Sequence, residues 1–321
     1  MWGKGELFNM KNEGTIESGK RFPFLLATMK GISQVILIEN WLTGLLILTA
    51  ITITSLELGV IAFLSAAIGT LTGRIGGGNR ESVEKGLYGY NPMLTGMALL
   101  LFLEGPASWG IALFGAVIAA AFTASMMTLL QPTGMPTLTF PYIVTTWLLL
   151  LSSYRLDTFK LTDETVPQDL SHWKLEIAGK IHWPSAFLDG AGQIFFLQGM
   201  AAGLLIFIGI FITGWKLGLY AVAGNIIGIC AAYLLGAEHL LIDAGLYGYN
   251  AILTALAVGV VFREGTNRLA PYTAIIGSIL TVLFIASIDT ALLPFGLPAL
   301  TMPFALSTSI FIGARKMMQQ P

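Results

Sequence analysis

The chain has 321 residues, 55% of them hydrophobic and only 11% charged, with a mean hydropathy of +0.76 and a formal net charge of −1. Soluble globular domains carry about 25% charged residues, so this composition excludes one and makes the chain an integral membrane protein, counted in spans of roughly 17–25 apolar residues. The near-neutral charge gives no reason for a nucleic-acid partner, and the single cysteine, Cys230, excludes an internal disulfide and a cysteine-based metal site; in its apolar run it reads as packing.

Residues 1–21 mix Lys4, Lys11, Lys20 and Arg21 with Glu6, Glu13 and Glu17 and lack the apolar core of a signal peptide, so they read as a soluble tail. A short apolar segment follows at about 22–37, then runs near 41–56, 58–72, 87–103, 107–130 and 138–152. Residues 153–184 hold most of the charge outside the tails, as in SYRLDTFKLTDETVPQDLSHWK, and read as an aqueous connector. The order then recurs. A short segment near 185–196 precedes runs at 198–214, 217–236, 246–261, 270–292 and 302–313, with a tail at 314–321. Each leading segment is too short to cross ~30 Å of hydrocarbon comfortably and is predicted to be a re-entrant half-helix.

The two halves are copies of one another. GLYGYN occurs at Gly86–Asn91 and again at Gly245–Asn250, 159 residues later, and Leu94-Thr95 recurs as Leu253-Thr254. At the same offset Gln34 falls on Gln193, Glu84 on the acid Asp243, Gly44–Ile47 on Gly203–Ile206, and Leu58-Gly59 on Leu217-Gly218. Further on the offset becomes 162, where Pro136, Thr139 and Pro141 meet Pro298, Thr301 and Pro303. Agreement at so many positions is the mark of an internal repeat.

Five full crossings per copy is an odd number, so the second copy is predicted to enter the membrane upside-down, as an inverted repeat. The charge distribution supports this. With both termini inside, twelve Lys and Arg fall on inner regions, among them Arg74, Arg80, Arg263, Arg268 and Arg315; only Arg155, Lys160, Lys174 and Lys180 fall outside. The expectation is an all-α integral membrane protein of ten transmembrane helices plus two re-entrant half-helices, in two inverted repeats around a central pore.

Two features break the apolar pattern in both copies. GLYGYN sets glycines, tyrosines and an asparagine at the start of a span, and Pro-x-x-Thr-x-Pro sets two prolines around a threonine at the start of another. Proline removes a backbone donor and disfavours helix in the residue before it, so carbonyls near Thr139 and Thr301 are predicted to lack helical partners. In a bilayer such backbone is tolerated only inside protein or along a wet cavity. In one copy these features would read as helix caps and close-packing glycines. At matched places in two inverted halves they point to a transport site.

These strings, taken together with the Gln-Val and Gln-Ile segments at Gln34 and Gln193, resemble the urea transporter family over about residues 25–152 and 185–313. The resemblance implies a homotrimer in the cell membrane, multi-pass with both termini cytoplasmic. Each protomer would have its own pore, moving urea down its gradient without a cofactor and without enzymatic chemistry, with lipid as the other partner. It implies that Gln34 and Gln193 bind urea amides at the two ends of the filter. Tyr90 and Tyr249 would be aromatic slot residues, often Phe in relatives, Leu94 and Leu253 the apolar wall, and Thr139 and Thr301 the narrow midpoint. The position three after each glutamine, aromatic in some relatives, is Phe196 in one copy but Leu37 in the other.

The chemistry of urea agrees. A flat, neutral molecule with one acceptor and four N–H donors loses ~2–7 kcal/mol for each polar group buried without a partner, so its pore must supply acceptors along its length. Ions meet a Born cost of tens of kcal/mol in the same place. His172, His182 and His239 fall in or beside loops without metal-ligand spacing, and no GxSxG, HExxH or P-loop occurs, which argues against an enzyme. The alternative is an ion-coupled secondary transporter, for which Asp289 is the intramembrane carboxylate to weigh; it aligns with Met127 and lies near a helix end, where packing or an interfacial role accounts for it.

Overall fold

The computed structural model describes residues 23–263 and 269–318, so the predicted tail at 1–21, with its four cations, and Arg268 lie outside the described residues. The first half runs α1 (Pro23–Ser33), α2 (Trp41–Thr54), α3 (Leu56–Ile75), α4 (Arg80–Glu84), α5 (Tyr90–Phe102), α6 (Ser108–Leu130) and α7 (Phe140–Leu151). The second runs α8 (Trp183–Gly192), α9 (Met200–Thr213), α10 (Trp215–Leu234), α11 (His239–Asp243), α12 (Gly248–Leu256), α13 (Ala270–Leu292) and α14 (Met302–Met318). Every apolar run read from the sequence is a helix. The short α4 and α11 are additional, and α14 runs to Met318, past the predicted boundary at 313.

Four helices are long and apolar enough to cross a membrane alone: α3, α10, and α6 and α13 with the turns that follow them. The pairs α1–α2 and α8–α9 pass the same test only together, bent by 76° and 73° at their breaks, which brings the number to six. Helices α5, α7 and α12 are shorter because Gly- and Pro-rich strings delay their starts; the 13 residues of α5 reach only about 20 Å. The molecule is thus a mostly helical membrane protein. Its outer surface carries side chains such as Ile53, Phe114, Leu148, Leu234 and Tyr272, as a surface facing hydrocarbon requires. Cys230 is also exposed on α10, which corrects its assignment to packing. The buried side of α10 carries Asn225 with Gly218, Gly224 and Gly228, and Cys230 lies off that side.

Small residues let the bent pairs fold flat. A Cβ on Gly44 would strike the Met29 carbonyl, and one on Gly203 would strike the Leu188 carbonyl, so α1 lies directly on α2 and α8 on α9. The bends also need a partner for the N–H that opens α2 or α9. In the first half Ser33 Oγ accepts from Asn40 N at 3.2 Å. In the second, the buried carboxylate of Asp189 accepts from Gly199 N at 2.7 Å and from Ser185 Oγ at 2.8 Å.

The predicted connector is exposed over most of its length but is anchored. Its strand β2 (Lys160–Leu161) pairs antiparallel with β1 (Leu103–Glu104) at the end of α5, a two-residue ribbon in an otherwise helical fold. Farther along, His182 N donates to Asp243 Oδ1 at 2.7 Å and Glu176 N to Glu238 Oε1 at 3.2 Å. Arg315, assigned from sequence to the tail at 314–321, is instead buried in α14, where its guanidinium donates to the Val258 and Phe262 carbonyls and the Thr273 hydroxyl.

Candidate functional site

Among the described residues only four non-glycine residues adopt the left-handed conformation: Leu37 (φ 60°), Leu138 (46°), Phe196 (59°) and Leu300 (53°). Such backbone costs of order 1–3 kcal/mol per residue and persists only where its surroundings enforce it. The four form two pairs at the repeat offsets. Leu37 and Phe196 are themselves predicted site residues, each closing a 3₁₀ turn that begins at the predicted glutamine. Leu138 and Leu300 immediately precede the predicted threonines.

The turns fix the glutamines. Gln34 Nε2 donates to the Lys85 carbonyl at 2.9 Å and Gln193 Nε2 to the Ala244 carbonyl at 3.1 Å. Both carbonyls come just before the first glycine of GLYGYN. That glycine, Gly86 or Gly245, has φ near +79° or +76°, and a Cβ there would strike the backbone of Gly31 in α1 or Gly190 in α8. The hexapeptide therefore packs against that helix and holds the glutamine that follows it. With Nε2 committed to a carbonyl, the orientation of each amide follows, and Oε1 is the atom left to accept.

The proline strings meet at the centre. Thr301 Oγ1 donates to Thr139 Oγ1 at 2.7 Å, with the two residues 3% and 2% exposed. Each left-handed leucine is clamped from the hexapeptide. Leu138 O accepts from Tyr90 Oη at 2.7 Å and Asn91 Nδ2 at 3.3 Å; Leu300 O accepts from Tyr249 Oη at 2.6 Å and Asn250 Nδ2 at 3.1 Å. The asparagine oxygens accept from the first turn of the next helix, at Tyr142 N and Phe304 N. Thr139 O and Thr301 O rejoin their helices, accepting from Ile143 N and Ala305 N. The Leu138 and Leu300 carbonyls thus lack helical partners, as expected, and the hexapeptide side chains satisfy them instead, while the threonine carbonyls are bonded within their own helices.

Leu94 and Leu253 are fully buried one helical turn after the hexapeptide tyrosines, in the same apolar cluster as Tyr90. Leu37, Phe196 and Tyr249 pack against that cluster, and Phe196 meets Phe102 edge to face with centroids 6.0 Å apart. Gln34 is 9% exposed and Gln193 half-buried. Asp289 lies half-buried in the last turn of α13, near the helix end as expected.

Sequence reasoning passed over several polar groups. Asn91 and Asn250 stood in the repeated hexapeptide but were not singled out. Asp189 has no counterpart carboxylate in the first half, where Lys30 stands. Trp147 Nε1 donates to the Pro298 carbonyl at 2.9 Å, tying α7 to the other copy's proline string, and nothing in the repeat marked it. Thr146 and Thr308 follow Thr139 and Thr301 by seven residues, hence on the same helix face. Both are fully buried, and neither hydroxyl has a hydrogen-bond partner among the described residues.

Residues 25–316 match the family described as Urea transporter. The chain belongs to the urea transporter family. It is 25% identical over 297 residues to Urea transporter 1 of Ovis aries and to that of Capra hircus, alignments covering 88% of this chain and 75% of each relative. Urea transporter 1 of Rattus norvegicus is 24% identical over 289 residues, with the same coverage. The matched span takes in both bent helix pairs, both hexapeptides and both threonines.

Proposed function

We propose that this urea transporter is a passive pore for urea, running along the path from Gln34 and Leu37, past Tyr90 and Leu94, through Thr139 and Thr301, to Leu253, Tyr249, Phe196 and Gln193. The observation that carries this reading is the 2.7 Å hydroxyl contact between two threonines 162 residues apart, each at the start of a broken helix. The two Gln Oε1 atoms accept urea N–H groups at the ends of the path. The hydroxyl pair takes over from water at the middle, and leucine and aromatic walls pass a flat neutral solute while offering nothing to an ion.

The architecture belonging to this reading is ten transmembrane helices plus the half-helices α1 and α8, in two inverted repeats, with both termini cytoplasmic. Three protomers with one pore each sit in the cell membrane, the assembly the family resemblance implies. The 159- and 162-residue offsets and the matched bends support the repeat. Against ion coupling, Asp189 has both oxygens engaged at the α8–α9 bend, and Asp289, in the last turn of α13, has the Ala299 backbone N–H as its partner.

Stopped-flow light scattering on proteoliposomes tests the function. Urea should equilibrate much faster than glycerol, at a rate indifferent to an imposed proton or sodium gradient; a rate that follows either gradient refutes passive conduction. For topology, a cysteine replacing the exposed Lys174, in a chain with Cys230 removed, should react with an impermeant maleimide from outside the cell. Labelling only from the inside overturns the assigned orientation.

A further inference from the structure

Resting on that pore reading, we propose that the hydroxyls of Tyr90 and Tyr249 set how tightly the midpoint holds its solute. They do so by occupying carbonyl acceptors that would otherwise face urea. Each hydroxyl sits on the carbonyl of the left-handed leucine beside the central threonine, at 2.7 Å for Leu138 and 2.6 Å for Leu300. A carbonyl oxygen has two lone pairs. The asparagine of the same hexapeptide takes one and the tyrosine the other, so neither carbonyl has capacity left for an N–H donor.

The rings place these hydroxyls next to the path. Tyr249 is half-buried, and Tyr90 is 7% exposed in the same cluster as Leu94. An aromatic wall needs only the ring, which phenylalanine also supplies. What tyrosine adds is one O–H, and in both halves that O–H is spent on the leucine carbonyl. The consequence is a waist that presents the Thr139–Thr301 hydroxyl pair and no backbone acceptor. A solute with four N–H donors is held there weakly enough to leave, which conduction requires as much as entry does.

The halves are not equal. Tyr90 Oη has a second partner, Thr137 Oγ1 at 3.0 Å. Since the single phenolic proton goes to Leu138 O, Thr137 is the donor to Oη. The matching position in the second half is Ala299, so Tyr249 Oη lacks that second hydroxyl. Tyr249→Phe therefore removes an acceptor cap with little else disturbed, whereas Tyr90→Phe also leaves Thr137 without a partner.

The test measures initial urea flux against urea concentration for the full-length protein in proteoliposomes. It compares wild type with Tyr249→Phe, Tyr90→Phe, the double Phe variant, and Thr139→Val as a probe of the pore itself. A freed carbonyl that bonds urea at the waist lowers the half-saturating concentration roughly two- to tenfold in each Phe variant, without raising the maximal flux. A merely structural hydroxyl lowers the melting temperature and leaves half-saturation where it was. If Tyr249→Phe leaves half-saturation unchanged or raises it while Thr139→Val slows urea, the tyrosine proposal is wrong and the pore stands. If Thr139→Val also conducts like wild type, the pore reading has failed and this proposal falls with it.

Discussion

The hydroxyl contact between Thr139 and Thr301 gives two predictions that rank the same variants in opposite orders. Thr→Val keeps the shape and removes the hydroxyl. In either single variant the surviving threonine loses its buried partner, and an unsatisfied buried group costs about 1–3 kcal/mol of stability. In the double variant both ends of the 2.7 Å bond are gone, and replacing both partners by apolar groups of the same shape is nearly neutral. Stability should therefore fall in the singles and largely recover in the double. Urea flux should do the reverse. Each missing hydroxyl withholds one hydrogen bond at the point of deepest burial and raises the barrier by roughly 1–3 kcal/mol, or about five- to a hundredfold in rate. The double should slow more than additively, because both groups contact one molecule. Thermal melts in detergent and stopped-flow urea flux per folded protein measure the two orders. A stable double variant with wild-type urea rates would show that the pair is only a packing contact and that the pore lies elsewhere.

Gln34→Leu and Gln193→Leu should each lower urea flux about five- to a hundredfold at equal folded protein, from one lost amide partner worth roughly 1–3 kcal/mol; unchanged flux in both takes the glutamines out of the path. Thr146→Val and Thr308→Val should raise the melting temperature, since each removes a buried hydroxyl without a partner. If these hydroxyls serve the solute, urea flux drops at the same time, and a stabilised variant with full flux assigns them no part in conduction. Asp189→Ala strips Gly199 N–H of its acceptor at the second bend and should cost about 1–3 kcal/mol, with Asp189→Asn milder because Oδ1 remains. Equal melting temperatures for wild type and Asp189→Ala would contradict that role.

Periodicity and composition made the helices legible, because a bilayer allows so few spanning structures that apolar runs alone locate them. The bends were legible too, since segments too short to span were followed at once by another apolar run. The burial sense of a helix was not. Cys230 and Arg315 both differ from expectation, Cys230 because the apolar run around it does not by itself mark which side of α10 is buried, and Arg315 because it finds carbonyl partners contributed by another helix. At the candidate site, the repeat pointed to matched positions but not to their bonding. Proline strings correctly announced broken helices before Thr139 and Thr301. What they could not announce is that Tyr90, Asn91, Tyr249 and Asn250 reach about 50 residues along the chain to satisfy the broken backbone. Partners at that separation belong to tertiary structure, and local propensity carries no trace of them.

The matched strings of the two halves offer a comparison within one chain. Both halves bend one helix onto the next, yet they satisfy the N–H at the bend with different chemistry, Ser33 in one and Asp189 in the other. Both seat the hexapeptide tyrosine, yet only one half adds a Thr137 hydroxyl. These two requirements are therefore met in more than one way. The residues along the proposed path behave differently. Glutamine, tyrosine, leucine and threonine are the same in both halves; both glutamines bond the carbonyl before the hexapeptide, both tyrosines the leucine carbonyl, and the threonines each other. Leu37 against Phe196 is the single pair that departs, and there the left-handed backbone is kept while the side chain changes. The supports in direct contact with this set are kept with it: the asparagine clamps, the first hexapeptide glycine and the left-handed leucines are also the same in both halves. Identity between the halves therefore marks the proposed path together with the backbone that holds it, and flux through the glutamine and threonine variants is what separates the two.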